Sequence, residues 1–317
     1  MITQAFVLGA GLGTRLRPLT DELPKPLVPI FQKPLITFAL DHLLAAGVEN
    51  FHVNTHHRPE KFAEAFPSSH YRRHRLQFHH EPVLLETAGG IANIAASLRD
   101  EPLLVYNADI LCDLPLAPLL AAHERDANLV TLALRRADGP RHIAFDQATR
   151  SVVDIRDQLG TGKPTDFTFT GVYIVSVAFV RQLAPGVKRS VIPHFLEAIK
   201  RGERIGGVVI DDGNWWDVGT IEAYRELHRC LPSLKFPSFP VDDPDWRIPV
   251  HPDARIIDSA LIEGGSVIGR DATIAAGARL RDTIVWPHAQ IASRAELTGC
   301  IVRSHQTAAG SHHDAII

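Results

Sequence analysis

Residues 8–29 read LGAGLGTRLRPLTDELPKPLVP and follow directly on a short apolar run at residues 5–8. Gly9, Gly11 and Gly13 carry no Cβ that would block a polyphosphate, and the backbone N–H groups of such a loop form an anion cradle. The run lacks the third glycine of a dinucleotide fingerprint and the G-K-[S/T] of a P-loop. It therefore predicts a phosphate-binding loop of a different kind at the end of a first strand.

Two cations follow the glycines. Arg15 presents a planar fork that suits the oxygens of β- and γ-phosphates, whereas Lys25 is a point charge held between Pro24 and Pro26. Proline restricts the backbone, so the lysine is presented with little further ordering. An isolated arginine or lysine is most often a solvated surface residue without a role in binding. The position of these two residues behind a glycine loop instead favours contacts with phosphate.

The chain outside this loop has ordinary globular composition: 317 residues, 45% hydrophobic and 22% charged, with a net charge of −3. This length predicts two domains. No run of one charge marks a nucleic-acid or membrane surface, so we expect neither partner. Three scattered cysteines favour a reducing compartment, and neither a signal peptide nor an apolar span is evident, which predicts a cytoplasmic protein.

Short apolar runs alternate with amphipathic segments through residue 230, a pattern typical of βα units around a mostly parallel sheet. This α/β pattern predicts a first domain at residues 1–230, followed by a linker at 231–249 that contains five prolines. The expected strands are 5–8, 51–54, 103–106, 129–134, 171–175 and 207–210. The expected helices are 34–46, 59–66, 91–98, 116–125, 191–200 and 220–230.

Apolar residues recur every six positions after residue 250. Ordinary strands alternate with period two, so this phase predicts a β-helix at residues 250–317, in which each coil buries its apolar face on the next. The positions are Val250, Ile256, Ile262, Ile268, Ile274 and Leu280, then Val285, Ile291 and Leu297 after a slip of one residue, and Val302 after a second slip.

Acidic residues occur in two further segments. The sequence LLVYNADI at 103–110 is an apolar strand that ends in Asn107 and Asp109, where open α/β sheets bind ligands. The sequence GNWWDVGT at 213–220 contains Asp217 and leads into the last expected helix. Carboxylates at such positions suit Mg²⁺, although either aspartate could instead orient a turn.

Residues 11–26 match every fixed position of G-x-G-T-R-L-x-P-L-T-x-x-x-P-K-P, the signature of the sugar-1-phosphate nucleotidyltransferases, and the chain resembles this family throughout residues 1–230. The resemblance implies a Rossmann-like α/β catalytic domain that joins an NTP to a sugar 1-phosphate and releases pyrophosphate. Mannose-1-phosphate guanylyltransferases and their relatives also append a left-handed β-helix, which the hexapeptide repeat resembles.

The resemblance also implies site residues. Arg15, Lys25 and Asp109 would be catalytic, and Mg²⁺ would bind Asp109 and Asp217, with Ala108 in place of the usual glycine. Catalysis would then consist of positioning and charge neutralisation. The residues expected to contact the nucleotide are Leu8, Gly9, Ala10, Gly11, Gly13, Thr14, Arg15, Lys25, Glu81, Thr87, Ala88, Gly89 and Asn107.

The segment EPVLLETAGG at 81–90 resembles the loop that holds the base. The Glu81 carboxylate can accept two hydrogen bonds, which complements the N1–H and N2–H₂ donors of guanine and favours GTP. However, Glu86 replaces the common glycine, and L-E-T-x-G-G also resembles uridylyltransferases that act on N-acetylmuramic acid 1-phosphate. The sequence therefore favours a mannose-1-phosphate guanylyltransferase, and the alternative is a uridylyltransferase for N-acetylmuramic acid 1-phosphate or another hexose 1-phosphate.

The segment FTGVY at 169–173 resembles the family's sugar-site strand, which places Thr170 and Gly171 near the hexose. The usual E-K-P does not occur at its expected spacing, so the cation for the sugar phosphate is either Lys163 or Arg156. Glu197 is a further candidate for contact with the sugar, although a solvated helix face explains it equally well.

Two rival hypotheses remain. The chain could be a regulatory homologue that binds an NDP-sugar without turnover, or the β-helix could be an acyltransferase. No catalytic histidine is evident in the repeat, so we expect the β-helix to join copies of the chain into a homo-oligomer. The 17 histidines lack the spacing of a metal motif.

Overall fold

A computed structural model describes residues 2–136, 139–236 and 244–317. The first fourteen strands are β1 (Gln4–Leu8), β2 (Pro29–Ile30), β3 (Lys33–Pro34), β4 (Asn50–Thr55), β5 (His70–Tyr71), β6 (His74–His80), β7 (Leu103–Asn107), β8 (Ile110–Cys112), β9 (Val130–Arg135), β10 (Ile143–Asp146), β11 (Ser151–Ile155), β12 (Thr168–Val175), β13 (Ile205–Val209) and β14 (Trp215–Asp217). The α-helices are α1 (Leu19–Glu22), α2 (Ile36–Ala45), α3 (Pro59–Ala65), α4 (Glu86–Ile94), α5 (Ala117–Asp126), α6 (Val177–Arg181), α7 (Val191–Lys200) and α8 (Ile221–Cys230). Short 3₁₀ helices occur at Thr14–Leu16, Lys25–Leu27, Pro67–Ser69, Ala95–Ser97, Leu231–Ser233 and Pro244–Arg247.

A ten-stranded sheet forms the centre of the first part of the chain, with the order β10-β11-β13-β9-β12-β7-β1-β4-β6-β5. Strands β6, β4, β1 and β7 pair in parallel, as do β13 and β9. Strand β12 runs antiparallel between β7 and β9. The sheet is mostly parallel, as predicted, and the carboxyl ends of β1, β4 and β7 lie side by side.

Helices pack on both faces of this sheet because successive side chains of each strand point to opposite sides. Along β1, Ala5 and Val7 belong to a core that includes Leu40 of α2 and Phe62 of α3. Phe6 belongs to the opposite core, which includes Ile91 of α4, Phe179 of α6 and Phe195 of α7. These two apolar layers fix the sheet between the helices and hold its strand ends in place.

Most predicted elements agree with the structure to within a few residues, but α4 differs. Its predicted range was 91–98, whereas the helix starts at Glu86. The N–H groups of Ala88 and Gly89 donate to the carbonyl oxygen of Arg189 at 2.9 and 3.2 Å. This tertiary contact stabilises a helical start that two consecutive glycines, Gly89 and Gly90, would not favour by themselves. Strand β6, whose sequence HRLQFHH has no clear apolar alternation, was not predicted.

The last part of the chain contains β15 (Arg255–Ile256), β16 (Leu261–Glu263), β17 (Val267–Ile268), β18 (Thr273–Ile274), β19 (Arg279–Arg281), β20 (Ile284–Val285), β21 (Gln290–Ile291), β22 (Glu296–Thr298), β23 (Ile301–Val302), β24 (Thr307–Ala308) and β25 (Ser311–His313). They form three parallel sheets with the orders β15-β18-β21-β24, β16-β19-β22-β25 and β17-β20-β23. In the first sheet Ile256 pairs with Ile274 and Ile274 with Ile291, so residues of the repeat stack on one another. These sheets are consistent with a left-handed β-helix, and the predicted fold class is confirmed.

The contacts between residues divide the chain into two compact units. One contains residues 1–14, 23–27 and 35–218, and the other contains 15–22, 28–34 and 219–317. Helix α8 belongs to the second unit, in which the Tyr224 hydroxyl donates to the Pro29 carbonyl at 2.8 Å and accepts from Trp286 Nε1 at 2.9 Å. The predicted domain boundaries stay a prediction, and residues 237–243 of the predicted linker lie outside the described residues.

No helix within the described ranges is both long and apolar enough to cross a membrane.

Candidate active site

The glycine-rich loop leaves β1 at Leu8 and is held against β4 by the side chain of Asn54. Asn54 Oδ1 accepts from the N–H of Gly9 at 2.7 Å and from that of Ala10 at 3.3 Å. A Cβ on Gly9 would lie 2.8 Å from the Asn54 carbonyl oxygen, so this position requires glycine. Because two N–H groups are already bonded, an anion cradle in this loop would begin at the exposed Gly11.

Two aspartates are brought together by the pairing of β8 with β14. In this antiparallel pair Asp217 lies opposite Ile110, the residue after Asp109. The N–H of Val218 donates to the Asp109 carbonyl oxygen at 3.0 Å and extends the contact by one residue. The side chains of Asp109 and Asp217 are 35% and 47% exposed, so both carboxylates remain accessible to a ligand.

Lys25 lies between these carboxylates. Its Nζ is 2.7 Å from Asp109 Oδ2 and 3.8 Å from Asp217 Oδ1, and its side chain is 8% exposed. An almost buried ammonium group needs such partners, since burying a charge without them is costly. The lysine therefore has a fixed position, which a solvated surface charge would not have.

A cavity of about 390 Å³ adjoins this cluster. Eight of the residues that line this cavity are predicted to bind the nucleotide or to act in catalysis. Five further lining residues are not among those predictions. The predicted residues are Leu8, Gly9, Ala10, Gly11, Lys25, Thr87, Asn107 and Asp109. The additional residues are Pro26, Asn54, Leu84, Glu86 and Ser190.

Comparison with known proteins identifies the family. A sequence model of the family described as "Nucleotidyl transferase" matches residues 4–233. The chain belongs to this family. A "Mannose-1-phosphate guanylyltransferase" of Mycobacterium tuberculosis is 32% identical to this nucleotidyltransferase over 306 residues, which cover 94% of this chain and 82% of that protein. The predicted family and enzyme class are thereby confirmed.

Further relatives extend along most of the chain. A "Probable mannose-1-phosphate guanylyltransferase 2" of Arabidopsis thaliana is 27% identical over 326 residues, covering 96% of this chain and 87% of that protein. A "Mannose-1-phosphate guanyltransferase" of Schizosaccharomyces pombe is 28% identical over 278 residues, covering 84% and 73%. The crystal structure of HddC from Yersinia pseudotuberculosis superposes with a TM-score of 0.60 at 21% identity, covering 71% of this chain and 97% of that one. This last similarity shows the fold alone.

Glu81 of this nucleotidyltransferase does not line the cavity. Its side chain is completely buried, Oε1 accepts from Asn54 Nδ2 at 2.8 Å, and Oε2 accepts from the N–H of Leu85 at 2.9 Å. Both carboxylate oxygens are thus bonded within the protein. The geometry gives Glu81 a structural role: through Asn54 it connects the glycine loop to the start of α4.

The residues predicted for the sugar do not meet at the cavity. Thr170 is buried and its hydroxyl donates to the Ala133 carbonyl at 2.9 Å, while Trp215 Nε1 donates to the Thr170 carbonyl at 2.9 Å. Gly171, at φ 82°, lies against the cavity residue Asn107, whose Nδ2 would be 2.7 Å from a Cβ at this position. The other two candidates for a cation, Lys163 and Arg156, are exposed and do not line the cavity.

Ala88, Gly89 and Glu197 line a second cavity, of about 530 Å³. Here the Glu197 carboxylate accepts from Arg189 Nη2, and His194 lies nearby. Burial lowers the pKa of His194 below its ordinary value, and the positive charge of Arg189 lowers it further. These three predicted residues therefore line a different cavity from Lys25 and Asp109, although Thr87, which precedes Ala88, lines the first cavity.

The remaining predicted residues lie at the end of the glycine loop. Gly13 has φ 61°, a left-handed conformation that glycine adopts freely, and it is half-buried. Thr14 and Arg15 are exposed in the 3₁₀ helix Thr14–Leu16. Arg15 directly follows the loop and is accessible to a ligand.

A neutral hydrogen-bonded group supports the strand that carries Asn107. His42 Nε2 lies 2.8 Å from the Leu114 carbonyl, so this nitrogen donates, and Nδ1 accepts from the Tyr106 hydroxyl at 3.1 Å. Burial lowers the pKa of His42 to about 4 and raises that of Cys112, which is 2.9 Å from the Tyr106 hydroxyl, to about 12. Near neutral pH these groups are uncharged, and their hydrogen bonds connect α2 with β7 and with β8.

Two cavity residues that the sequence analysis missed, Asn54 and Ser190, differ in the signal that the sequence offers. Asn54 is a polar residue near the carboxyl end of β4, which pairs in parallel with β1. Such ends meet at the edge where α/β sheets bind ligands, so its position was a usable signal. Ser190, the N-cap of α7, gave no comparable signal, because it reaches the cavity through a tertiary contact between α4 and residues 187–191.

Proposed function

We propose that this nucleotidyltransferase joins GTP to mannose 1-phosphate, forming GDP-mannose and pyrophosphate. The observation that carries the proposal is the cluster of Lys25, Asp109 and Asp217 beside the cavity that contains the glycine loop. A fixed ammonium group and two carboxylates at a phosphate-binding loop suit transfer of a phosphate-linked group. The names of the relatives support guanine and mannose.

We assign Mg²⁺ to Asp109 and Asp217. An ammonium group already lies within 2.7 and 3.8 Å of their oxygens, so the pair suits a cation. Mg²⁺ usually takes one or two carboxylates and fills its other positions with water and substrate phosphate. No group of three or more His, Cys, Asp or Glu that could hold a metal occurs among the described residues, which agrees with such a partial protein shell. When bound, the ion would neutralise charge at the α-phosphate.

In the proposed reaction an oxygen of mannose 1-phosphate forms a bond to the α-phosphorus of GTP. The bond from that phosphorus to the oxygen bridging to the β-phosphate breaks, and its electrons leave with pyrophosphate. A phosphate nucleophile is already ionised near neutral pH, so no side chain has to remove a proton. The chain therefore contributes positioning and fixed charge.

Each catalytic residue then has a distinct task. Lys25 places positive charge at the α-phosphate and the attacking oxygen without reorganisation, since Asp109 and Asp217 already hold it. N–H groups from Gly11 onward bind the phosphates, because those of Gly9 and Ala10 are occupied by Asn54. Arg15, exposed at the end of this loop, neutralises the departing pyrophosphate.

Pyrophosphate release with Mg²⁺ tests the proposal directly. GTP, UTP, dTTP, CTP and ATP are each combined with the 1-phosphates of mannose, glucose, N-acetylglucosamine and N-acetylmuramic acid. We expect the highest kcat/KM for GTP with mannose 1-phosphate. Preference for UTP with N-acetylmuramic acid 1-phosphate would replace the assigned substrates, and retained binding of an NDP-sugar with no turnover would favour a regulatory homologue.

Assembly through the β-helix is a separate proposal. Ile257 and Leu261 of its first coil are 49% and 51% exposed, which supports an interface there with a second copy of the chain. Light scattering of the full chain, with Leu261→Asp as the variant, tests it. A mass of one chain for the unmodified protein would contradict the proposed homo-oligomer.

A further inference from the structure

The segment that follows Lys25 is hydrogen-bonded to a buried tyrosine. The hydroxyl of Tyr224 donates to the carbonyl oxygen of Pro29 in β2 at 2.8 Å, and the indole Nε1–H of Trp286 donates to the same hydroxyl at 2.9 Å. Both aromatic side chains are almost completely buried. Burial raises the pKa of Tyr224 above its ordinary value, so the hydroxyl keeps its proton near neutral pH. Because that proton is single and the indole can only donate, the direction of both bonds is fixed.

The chain connects this tyrosine to two members of the proposed catalytic cluster. Strand β2 starts at Pro29, four positions after Lys25, and α8, which contains Tyr224, starts four positions after Asp217. Lys25 Nζ lies 2.7 Å from Asp109 Oδ2 and 3.8 Å from Asp217 Oδ1. The bond from Tyr224 to Pro29 therefore ties the backbone that leaves the lysine to the helix that follows the aspartate.

The turn between β2 and β3 is held by the same helix. Phe31 in this turn has φ 53°, which bulky residues seldom adopt, and such strain persists where the surrounding structure enforces it. Its N–H donates to His228 Nε2 at 3.2 Å, and the two rings stack with their centroids 5.3 Å apart. His228 Nδ1 in turn donates to the Tyr224 carbonyl oxygen at 2.9 Å. The hairpin after Lys25 is thus attached to α8 at two points, its first strand and its turn.

We propose that Tyr224 is a positioning residue for Lys25. This inference rests on the proposed function, because it concerns how the cation of that reaction is held. Asp109 holds the ammonium end of the lysine, and the Tyr224 hydroxyl holds the backbone end through Pro29. A misplacement of about 1 Å can lower a rate by about 100-fold, so a hydrogen bond outside the cavity can still set turnover. Trp286 orients the hydroxyl, which gives the β-helix a part in this contact.

A purely structural role for this hydroxyl makes a different prediction. The hydroxyl pairs with a buried indole and with a backbone carbonyl oxygen, so its removal should lower stability under either hypothesis. If stability were its whole function, kcat measured well below the Tm would not change. Any residual effect would also be the same whether or not Lys25 carried its ammonium group. Turnover in the presence and absence of that group therefore separates the two roles.

The experiment is a double-mutant cycle between Tyr224→Phe and Lys25→Met. The kcat for pyrophosphate release is measured with the best substrate pair, well below the Tm of every variant. We expect Tyr224→Phe to lower kcat by about 10- to 100-fold and to leave the KM for the NTP within about twofold. In the Lys25→Met background the same substitution should change kcat by less than about twofold, because residues that act through one another are not additive.

Tyr71→Phe is the matched control. The Tyr71 hydroxyl also donates one hydrogen bond, to Asp41 Oδ1 at 3.0 Å, and neither residue lines the cavity beside Lys25. This variant loses the same atom as Tyr224→Phe. Its kcat should equal that of the unmodified enzyme.

Trp286→Phe separates turnover from stability. It shrinks a large buried side chain and should lower the Tm more than Tyr224→Phe does. The hydroxyl can still donate to Pro29, so kcat should stay within about threefold of the unmodified enzyme. Combining Trp286→Phe with Tyr224→Phe removes the indole donor that the second substitution leaves unpaired, and it covers the case in which Tyr224→Phe alone does not fold. The combined variant should show the same loss of kcat as Tyr224→Phe.

Two results would overturn the inference and leave the proposed reaction in place. One is a pair of losses that multiply in the cycle, and the other is a kcat that follows the Tm of the variants rather than the presence of the hydroxyl. An unmodified protein that releases no pyrophosphate with any substrate pair would instead refute the proposed reaction, and the inference with it.

Discussion

Replacing Lys25 by methionine tests the proposed mechanism most directly. Methionine keeps much of the apolar stem and removes the charge that lies 2.7 Å from Asp109 Oδ2. Two unit charges about 4 Å apart interact by about 4 kcal/mol at an effective dielectric constant of 20. Loss of a preorganised electrostatic stabiliser of this kind typically lowers kcat by about 100- to 1,000-fold. We expect Lys25→Met to fall in this range.

The stability of this variant should change much less than its turnover. Asp109 and Asp217 are 35% and 47% exposed, so water can solvate both carboxylates once the ammonium group is gone. The expected loss in the free energy of unfolding is about 1 kcal/mol, closer to that of an exposed pair than of a buried one. Kinetics of pyrophosphate release and denaturant unfolding measure the two effects separately.

Lys61→Met is the matched control. Lys61 Nζ also lies 2.7 Å from a carboxylate oxygen, that of Glu64, but on the exposed side of α3 and away from the cavity. Its kcat should stay within about twofold of the unmodified enzyme, since surface pairs contribute little. If Lys25→Met instead retained more than about a third of the turnover, the transition-state role of Lys25 would be wrong.

Three further perturbations follow from the structure. Asn54→Ala leaves the Gly9 N–H and a Glu81 oxygen without their partner. We therefore expect the free energy of unfolding to fall by about 1–3 kcal/mol and the KM for the NTP to rise. An unchanged KM would show that Asn54 does not fix the conformation of the glycine loop. Gly171→Ala places a Cβ 2.7 Å from Asn107 Nδ2 at φ 82°, so both Tm and kcat should fall; normal kinetics would argue against a contribution of Asn107 to turnover. Burial lowers the pKa of His42 and of His228 to about 4, below the unfolded value of 6.5. The unfolded chain then binds protons first, so the free energy of unfolding should decrease as pH falls from about 6.5 towards 4 and stay level above 7; His42→Gln should reduce that slope in urea titrations.

Elements whose evidence is local in the chain could be predicted. The hexapeptide phase identified the β-helix because each inward position, such as Ile274 and Ile291, stacks on its equivalent in the next coil. The glycine loop and the segments of Asp109 and Asp217 could be recognised from their own residues. By contrast, α4 starts five residues earlier than predicted, since Arg189 supplies the hydrogen bonds that its own sequence lacks.

Glu81 shows what sequence reasoning cannot decide about a residue that it singles out. Glu81 was chosen because a carboxylate can accept two donors from guanine, and this chemistry is sound. The structure supplies those donors from Asn54 and Leu85 instead. Whether a carboxylate faces a ligand or the protein interior depends on which groups pack around it, and its own segment does not contain that information.

The amino-acid sequence by itself determined the family and the two kinds of architecture, and it indicated residue types that suit phosphate. These features follow from short-range patterns in the sequence. One is a loop with positions that require glycine, and the other is a regular spacing of apolar residues that is buried only when successive coils stack. Only the tertiary structure decided which side chains meet. Lys25 and Asp109 are 84 positions apart, and Asn54 and Glu81 are 27 apart. Such pairs form because neighbouring strand ends converge at one edge of the sheet, where burial and hydrogen bonding decide between a ligand contact and a structural one.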